Sequence, residues 1–440
     1  MKKVLVIAYF FPPLGGSGVQ RTLKFVKYLP EFGIQPLVST VKHGHNFAYD
    51  ESLLSEIPQT AKVFRSNSME TLWLRRIIEK PAAFRRQKTS FPAPADQENK
   101  DPITEGKSFK QRLFDFLDNY LFIPDSKMRW LPCGFFTSLK AARKEKVDLL
   151  FSSSYPYTVH IIALLVNKFY RKPWIADFRD PWVGNKAMVK NIAFRRKLDS
   201  WLEGKVVKNA AYIINVTPPL TEMYRQRYPE FAEKMITITN GFDEQDFGSL
   251  CPVQQDKFTL IYTGIINEIH YDIETFVRGI AAFLQEQPAA RTRFQCLFIG
   301  YIPPAVTEIF VKYKIRDILV ILPYMDHREC LNYLAGANLQ FLTFGQDLDN
   351  AYSGKLFDYI GSGKPVLALV PEGIAAELIR DKQIGTVISL GHWQEISKGV
   401  EKYYQDWLQG QTKNPVPASK CREFSRKNLA GQLADLFKSL

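Results

Sequence analysis

Short apolar runs alternate along the chain with stretches in which apolar side chains recur every three or four positions. Lys3–Ala8, Gln35–Thr40, Asp148–Phe151, Trp174–Asp177 and Tyr212–Val216 read as strands, and Val19–Glu31 reads as an amphipathic helix. After Asn240-Gly241-Phe242-Asp243 and a polar stretch the pattern restarts, with strands expected at Phe258–Thr263, Phe294–Ile299, Val320–Leu322, Leu339–Thr343 and Pro365–Leu369. Apolar strands separated by helical segments belong to parallel sheets covered by helices on both faces. The pattern therefore predicts an α/β chain of two Rossmann-like domains, 1–245 and 246–418, joined near 245–257. A final helix within 419–440 is expected to cross back to the first domain.

Residues 69–123 depart from this alternation. Met69–Lys88 sets Leu72, Trp73, Leu74, Ile77 and Ile78 among basic residues, and Phe109–Leu121 is again amphipathic. A basic segment carrying Trp and Leu fits a helix lying in a membrane interface, and fits equally an amphipathic helix covering the first domain.

Composition and charge narrow the picture. With 440 residues, 46% of them hydrophobic and 23% charged, the chain is globular and long enough for two or three domains. No run reaches the roughly 18 apolar residues of a membrane span, so a cytoplasmic protein, peripheral on the inner membrane face, is expected. The net charge of +13 is divided as +14 over 1–245 and −1 over 246–440, so the first half suits an anionic partner. No nucleic-acid module is present, and an anionic membrane surface accounts better for cations interleaved with Trp and Leu. The five cysteines have neither disulfide-framework nor metal-ligand spacing, and no metal is expected.

Two segments carry candidate chemistry. In "AYFFPPLGGSGVQR" glycines join the first strand to a helix. Without Cβ atoms at Gly15 and Gly16, backbone amides can approach an anion, with Arg21 one turn into the helix. The loop is not the GxGxxG dinucleotide fingerprint, and as an isolated feature it is equally a structural turn. In "NAYSGKLFDYIGSGKPVLALVPEG" a helix starts near Ser353-Gly354, with Lys355 in its first turn and Asp358 one turn on. That geometry suits a nucleoside diphosphate, the ammonium meeting phosphate and the carboxylate meeting ribose hydroxyls. A surface pair at i,i+3 is the alternative.

Five ordered blocks, "FPPLGGSGVQR", "SSSYPYTVHIIA" with "WIADFRDPWVGN", "NGFDEQDF", "LIYTG" and "KLFDYIGSGKPVLAL", resemble a family 4 type (group 1) glycosyltransferase of the GT-B fold, in a subgroup with a DFRDPW motif. The resemblance implies two facing Rossmann-like domains with an interdomain cleft. It further implies metal-independent, retaining transfer from a nucleotide-diphosphate sugar, with no cofactor, to a lipid-linked or glycan acceptor. On it, Lys355, His160 and Asp180 are expected to be catalytic, and Gly15, Gly16, Arg21, Gly264, His270, Asn350, Ser353, Gly354, Lys355 and Asp358 to bind the donor. The chain departs from the family pattern where its Glu-x7-Glu pair becomes Asn350 and Asp358, and where an Arg and a Lys become Ile265 and His270. A non-catalytic sugar-nucleotide-binding partner and a nucleotide-sugar epimerase are the alternatives.

Overall fold

A computed structural model of the chain describes residues 1–44, 49–69, 122–185, 192–266, 271–411 and 418–440. The basic segment Met69–Lys88 beyond its first residue, the amphipathic stretch up to 121, and His270 lie outside the described residues. The chain divides into two compact units, Met1–Thr239 with Ala430–Leu440, and Asn240–Leu429.

The first unit contains strands β1 (Lys2–Ile7), β2 (Ile34–Val41), β3 (Lys62–Ser66), β4 (Leu149–Ser153), β5 (Trp174–Phe178), β6 (Tyr212–Asn215) and β7 (Met235–Thr237). They pair in parallel in the order β3-β2-β1-β4-β5-β6-β7. Helix α1 (Ser17–Tyr28) follows β1. Helices α2 (Leu131–Glu145), α3 (Thr158–Tyr170) and α4 (Ala193–Asn209) precede β4, β5 and β6, and α5 (Pro218–Arg227) precedes β7. Central strands β4 and β5 are buried at every position, because helices cover both faces of a parallel sheet.

The second unit repeats the plan with β8 (Phe258–Thr263), β9 (Phe294–Ile299), β10 (Leu319–Leu322), β11 (Leu339–Thr343), β12 (Val366–Leu369) and β13 (Gly385–Ile388), all parallel in the order β10-β9-β8-β11-β12-β13. Its main helices are α6 (Ile273–Glu286), α7 (Pro304–Lys312), α8 (His327–Gly336), α9 (Gly354–Ser362), α10 (Ile374–Asp381) and α11 (Trp393–Leu408). Side-chain alternation along β8 sends Phe258, Leu260 and Tyr262 into one core with Phe276, Ile280 and Tyr404. Ile261 points into the other, with Leu356, Tyr359 and Ile379.

Each sheet contains the 3-2-1-4-5-6 order of a Rossmann unit, the first extending it by a seventh strand, and this order places the topological switch point between the first and fourth strands. In such sheets ligands bind beyond the carboxyl ends of the strands at that point. For the first unit these are β1 and β4; for the second, β8 and β11.

The units part at 239/240, earlier than the pattern suggests. Phe242 is buried in the second unit's core, its N–H donates to the Phe424 carbonyl, and its own carbonyl accepts from the Arg426 N–H. A Cβ on Gly241 would meet the Phe424 carbonyl, so only glycine fits there. The last helix, α12 (Arg426–Ser439), begins in the second unit and continues in the first, where Phe437 lies edge-on to Phe151 with 5.8 Å between ring centroids. Lys2 Nζ also donates to the Phe437 carbonyl.

Candidate functional site

In the second unit, β8 ends at Thr263 and the chain turns through Gly264 with φ +116°. A Cβ there would lie 2.5 Å from Cε and 3.2 Å from Nζ of Lys355. Gly264 therefore supplies both the backbone turn and the space through which the Lys355 stem passes. Lys355 reaches this place because α9 follows β11, the strand beside β8. Ser353 begins that helix, its Oγ accepting from the Lys355 N–H at 3.3 Å. Gly363 ends it in the left-handed conformation, φ +68°, its N–H donating to the Ile360 carbonyl.

The Lys355 ammonium donates to the Tyr262 hydroxyl at 2.7 Å and stands 4.6 Å from that ring's centroid and 5.7 Å from that of Tyr271. The Tyr262 hydroxyl donates in turn to the Ile265 carbonyl at 2.8 Å. Lys355 forms no salt bridge among the described residues. Burial disfavours the charged form and lowers its pKa to about 8. The result is a held cation beside the first turn of a helix, at the carboxyl end of the switch-point strands.

Asp358, one turn further along α9, sits 3.5 Å from His327 Nε2 at the start of α8. Gly354 is exposed, and a Cβ there would meet nothing within 4 Å. Exposed Asn350 donates from Nδ2 to Asp349 Oδ2 at 3.1 Å. Gly264, Ser353, Gly354 and Lys355 thus come together, with Asp358 beside them.

The first unit's switch point has different chemistry. Gly16, with φ +84°, precedes the first turn of α1, and Gly15 before it is buried. Arg21, expected to face a phosphate, is instead 1% exposed. Its Nη2 and Nε meet the Asp177 carboxylate at 2.7 and 2.9 Å, and its guanidinium also donates to the carbonyls of Ile238 and Thr239. Asp177 is fully buried and accepts from Ser153 Oγ at 2.6 Å. Arg179 donates to the Gly18 carbonyl at 2.6 Å, tying the glycine loop to the block after β5. The expected role of Arg21 is therefore corrected: its charge is spent inside the fold.

His160 needs the same correction. It is 0% exposed in α3, with Nδ1 2.8 Å from Ser152 Oγ and its ring 4.4 Å from that of Phe178. Burial pushes its pKa down to about 3, so the imidazole is neutral, and its setting is that of a core group. Asp180 is exposed. The adjoining loop is braced from below: Trp182 stacks on Tyr157, centroids 5.0 Å apart, and donates from Nε1 to Asp199 at 3.0 Å, and buried Glu203 accepts the Val183 N–H.

The residue that sequence reasoning missed is Tyr262. It lies inside the quoted "LIYTG", where its alternation marks it as core, and only the β8–β11 pairing shows that its hydroxyl reaches Lys355.

Two parallel Rossmann-like units in one chain define an α/β protein of the GT-B fold. A glycosyltransferase from Rickettsia africae ESF-5 is similar over 100% of this chain and 98% of its own, with a TM-score of 0.62 at 15% identity. Anabaena HepE in complex with UDP-glucose matches over 100% of both chains, with a TM-score of 0.62 at 12% identity. A putative UDP-N-acetylglucosamine 2-epimerase from Listeria monocytogenes matches over 100% of this chain and 96% of its own, with a TM-score of 0.55 at 12% identity. No family model matches the sequence, and no curated protein matches it. Among the described residues no helix is long and apolar enough to cross a membrane, and all five cysteines are free thiols.

Proposed function

We propose that the chain is a metal-independent, retaining glycosyltransferase of the family 4 type. It moves a hexose from a nucleotide-diphosphate sugar to a hydroxyl of a lipid-linked or polysaccharide-precursor acceptor at the cytoplasmic membrane face. The observation that carries this reading is the Lys355 ammonium, held by Tyr262 without a carboxylate partner among the described residues, at the switch point of the second unit. A diphosphate placed there meets that cation and the N-terminal turn of α9, and Asp358 accepts from the ribose. In the transfer, the bond from the anomeric carbon to the diphosphate oxygen breaks, and its electron pair leaves with the nucleotide. The acceptor oxygen bonds to the same face of that carbon and its proton passes to the departing phosphate. The task of Lys355 is to stabilise the charge that develops on the leaving group. Solved structures of the same fold that hold UDP-glucose support the choice of substrate class.

The test is calorimetric titration of the full chain with UDP-, GDP-, ADP- and dTDP-sugars, repeated on Lys355→Ala. Selective binding that weakens at least tenfold in the variant is expected. Equal affinity in both proteins refutes the site. No binding of any nucleotide sugar refutes the reading and leaves a non-catalytic partner of this fold. Conversion of the bound sugar to its epimer without any acceptor indicates the epimerase instead.

A further inference from the structure

The outer side of the first unit carries a feature that donor chemistry does not use. Helices α2, α3 and α4 lie side by side, α2 against α3 and α3 against α4. Their connections all lead the same way along the sheet, through β4, β5 and β6, and right-handed crossovers put them on one face. Along α2, Phe136, Leu139, Lys140, Arg143 and Lys144 fall on one stripe and line a hollow of about 500 Å³. Phe136 is 68% exposed and its ring lies 5.2 Å from that of Phe135, which lies 5.7 Å from that of exposed Phe169 on α3. The aromatic surface thus continues from helix to helix.

Along α4 a second stripe combines rings and cations, Phe194, Lys197, Trp201, Lys205 and Lys208, all exposed, with Lys205 Nζ 5.5 Å from the centroid of the Trp201 ring. Among the described residues of these three helices the exposed charge has one sign. Glu145 is held by Lys62, Asp199 by Trp182 and Arg195, and Glu203 is fully buried, so none of the three helices exposes an acid. The exposed lysines of both stripes form no salt bridge among the described residues.

We propose that the outer faces of α2 and α4, with the last turn of α3, dock on an anionic phospholipid bilayer. Rings at the headgroup level and cations toward acidic lipids are the two contributions that bind a surface helix to a membrane. Single-stranded nucleic acid also uses rings and cations, but along a groove that tracks its backbone, whereas these side chains stand on the outer faces of helices. The inference gives the membrane placement proposed above a surface on this chain, and it stands on lipid binding alone.

The test is flotation of the full chain with vesicles of 30% phosphatidylglycerol in phosphatidylcholine, and with pure phosphatidylcholine. Two exposed-site variants are compared, Phe136→Ser with Phe169→Ser, and Lys140→Glu with Lys144→Glu, their folding checked by thermal melting. Selective binding to the anionic vesicles is expected, falling at least tenfold in each variant, since each cation near such a surface contributes about fivefold. Flotation unchanged in both variants overturns the proposal, as does binding of a single-stranded oligonucleotide but not of vesicles. Donor titration on the same proteins separates the two readings. Vesicle binding without donor binding supports the surface and refutes the transferase, and donor binding without vesicle binding does the reverse.

Discussion

Gly264→Ala tests the site through its geometry. The residue has φ +116°, so an alanine there is strained by about 1–3 kcal/mol. The new Cβ also falls 2.5 Å from Lys355 Cε, and the flexible lysine stem, unlike the backbone, can swing aside. Doing so takes the ammonium off the Tyr262 hydroxyl and away from the phosphate. Loss of a charge-assisted hydrogen bond is worth about 1.5–3 kcal/mol, or roughly 10- to 150-fold in donor Kd. Urea denaturation reads the first effect and calorimetric titration the second. If Gly264 acts on the donor only by making room for Lys355, the double variant with Lys355→Ala binds donor no more weakly than Lys355→Ala alone, yet keeps the stability loss. Multiplied losses of affinity in the double variant refute this account, and so does unchanged affinity in a Gly264→Ala protein of normal fold.

Three further outcomes are expected. With the pKa of Lys355 lowered to about 8, donor affinity falls as pH rises through 8, because the neutral amine no longer attracts a diphosphate; calorimetry at pH 7 and 9 on parent and Lys355→Met checks that the variant lacks the slope. Arg21→Met leaves the buried Asp177 carboxylate uncompensated and is expected to destabilise the fold by about 3–5 kcal/mol in urea; a variant of parental stability that has lost donor binding would contradict the internal role. Asp125 is buried and its pKa is raised to about 6 from 3.8, so the folded state holds its proton more tightly and the parent gains stability as pH falls through 6. Comparing urea midpoints of the parent and Asp125→Asn at pH 7 and pH 5 isolates that gain, which the variant lacks.

Most of the strands that the sequence pattern reveals are covered on both faces; β10, a part-exposed edge, shows itself by its apolar run instead. β8, β9 and β11 begin and end where their apolar runs do, whereas β3, β7 and β13 escape notice. Those three are sheet edges, short or part-exposed, and "KVFRS" or "GTVI" lacks the length and the apolar run that a buried strand requires. Lys355 could be singled out from its place in the first turn of a helix. Arg21 has the same sequence credentials, a cation one turn beyond a glycine loop. Its partner Asp177 lies 156 residues away and meets it only because β1, β4 and β5 stand side by side. Local spacing names cations near a helix start, and long-range pairing decides which of them keeps its charge for a ligand.

That distinction bears on where an anion can bind. Both units offer the same strand order, a glycine at positive φ after the first strand or just before the helix, and a basic side chain within reach. In the first unit the cation is neutralised by a carboxylate as buried as itself, with 1% and 0% of the two side chains exposed, and moving a phosphate into that place would strand the Asp177 charge. In the second unit the cation is held by a phenol and by ring faces, which carry no full charge and release it at little cost. A diphosphate therefore gains an ion pair at Lys355 without breaking one, and it would have to break one at Arg21. On that ground we propose that the donor's anionic group binds at the second unit, and substitutions at Lys355 and Arg21 should separate cleanly, the one in affinity and the other in stability.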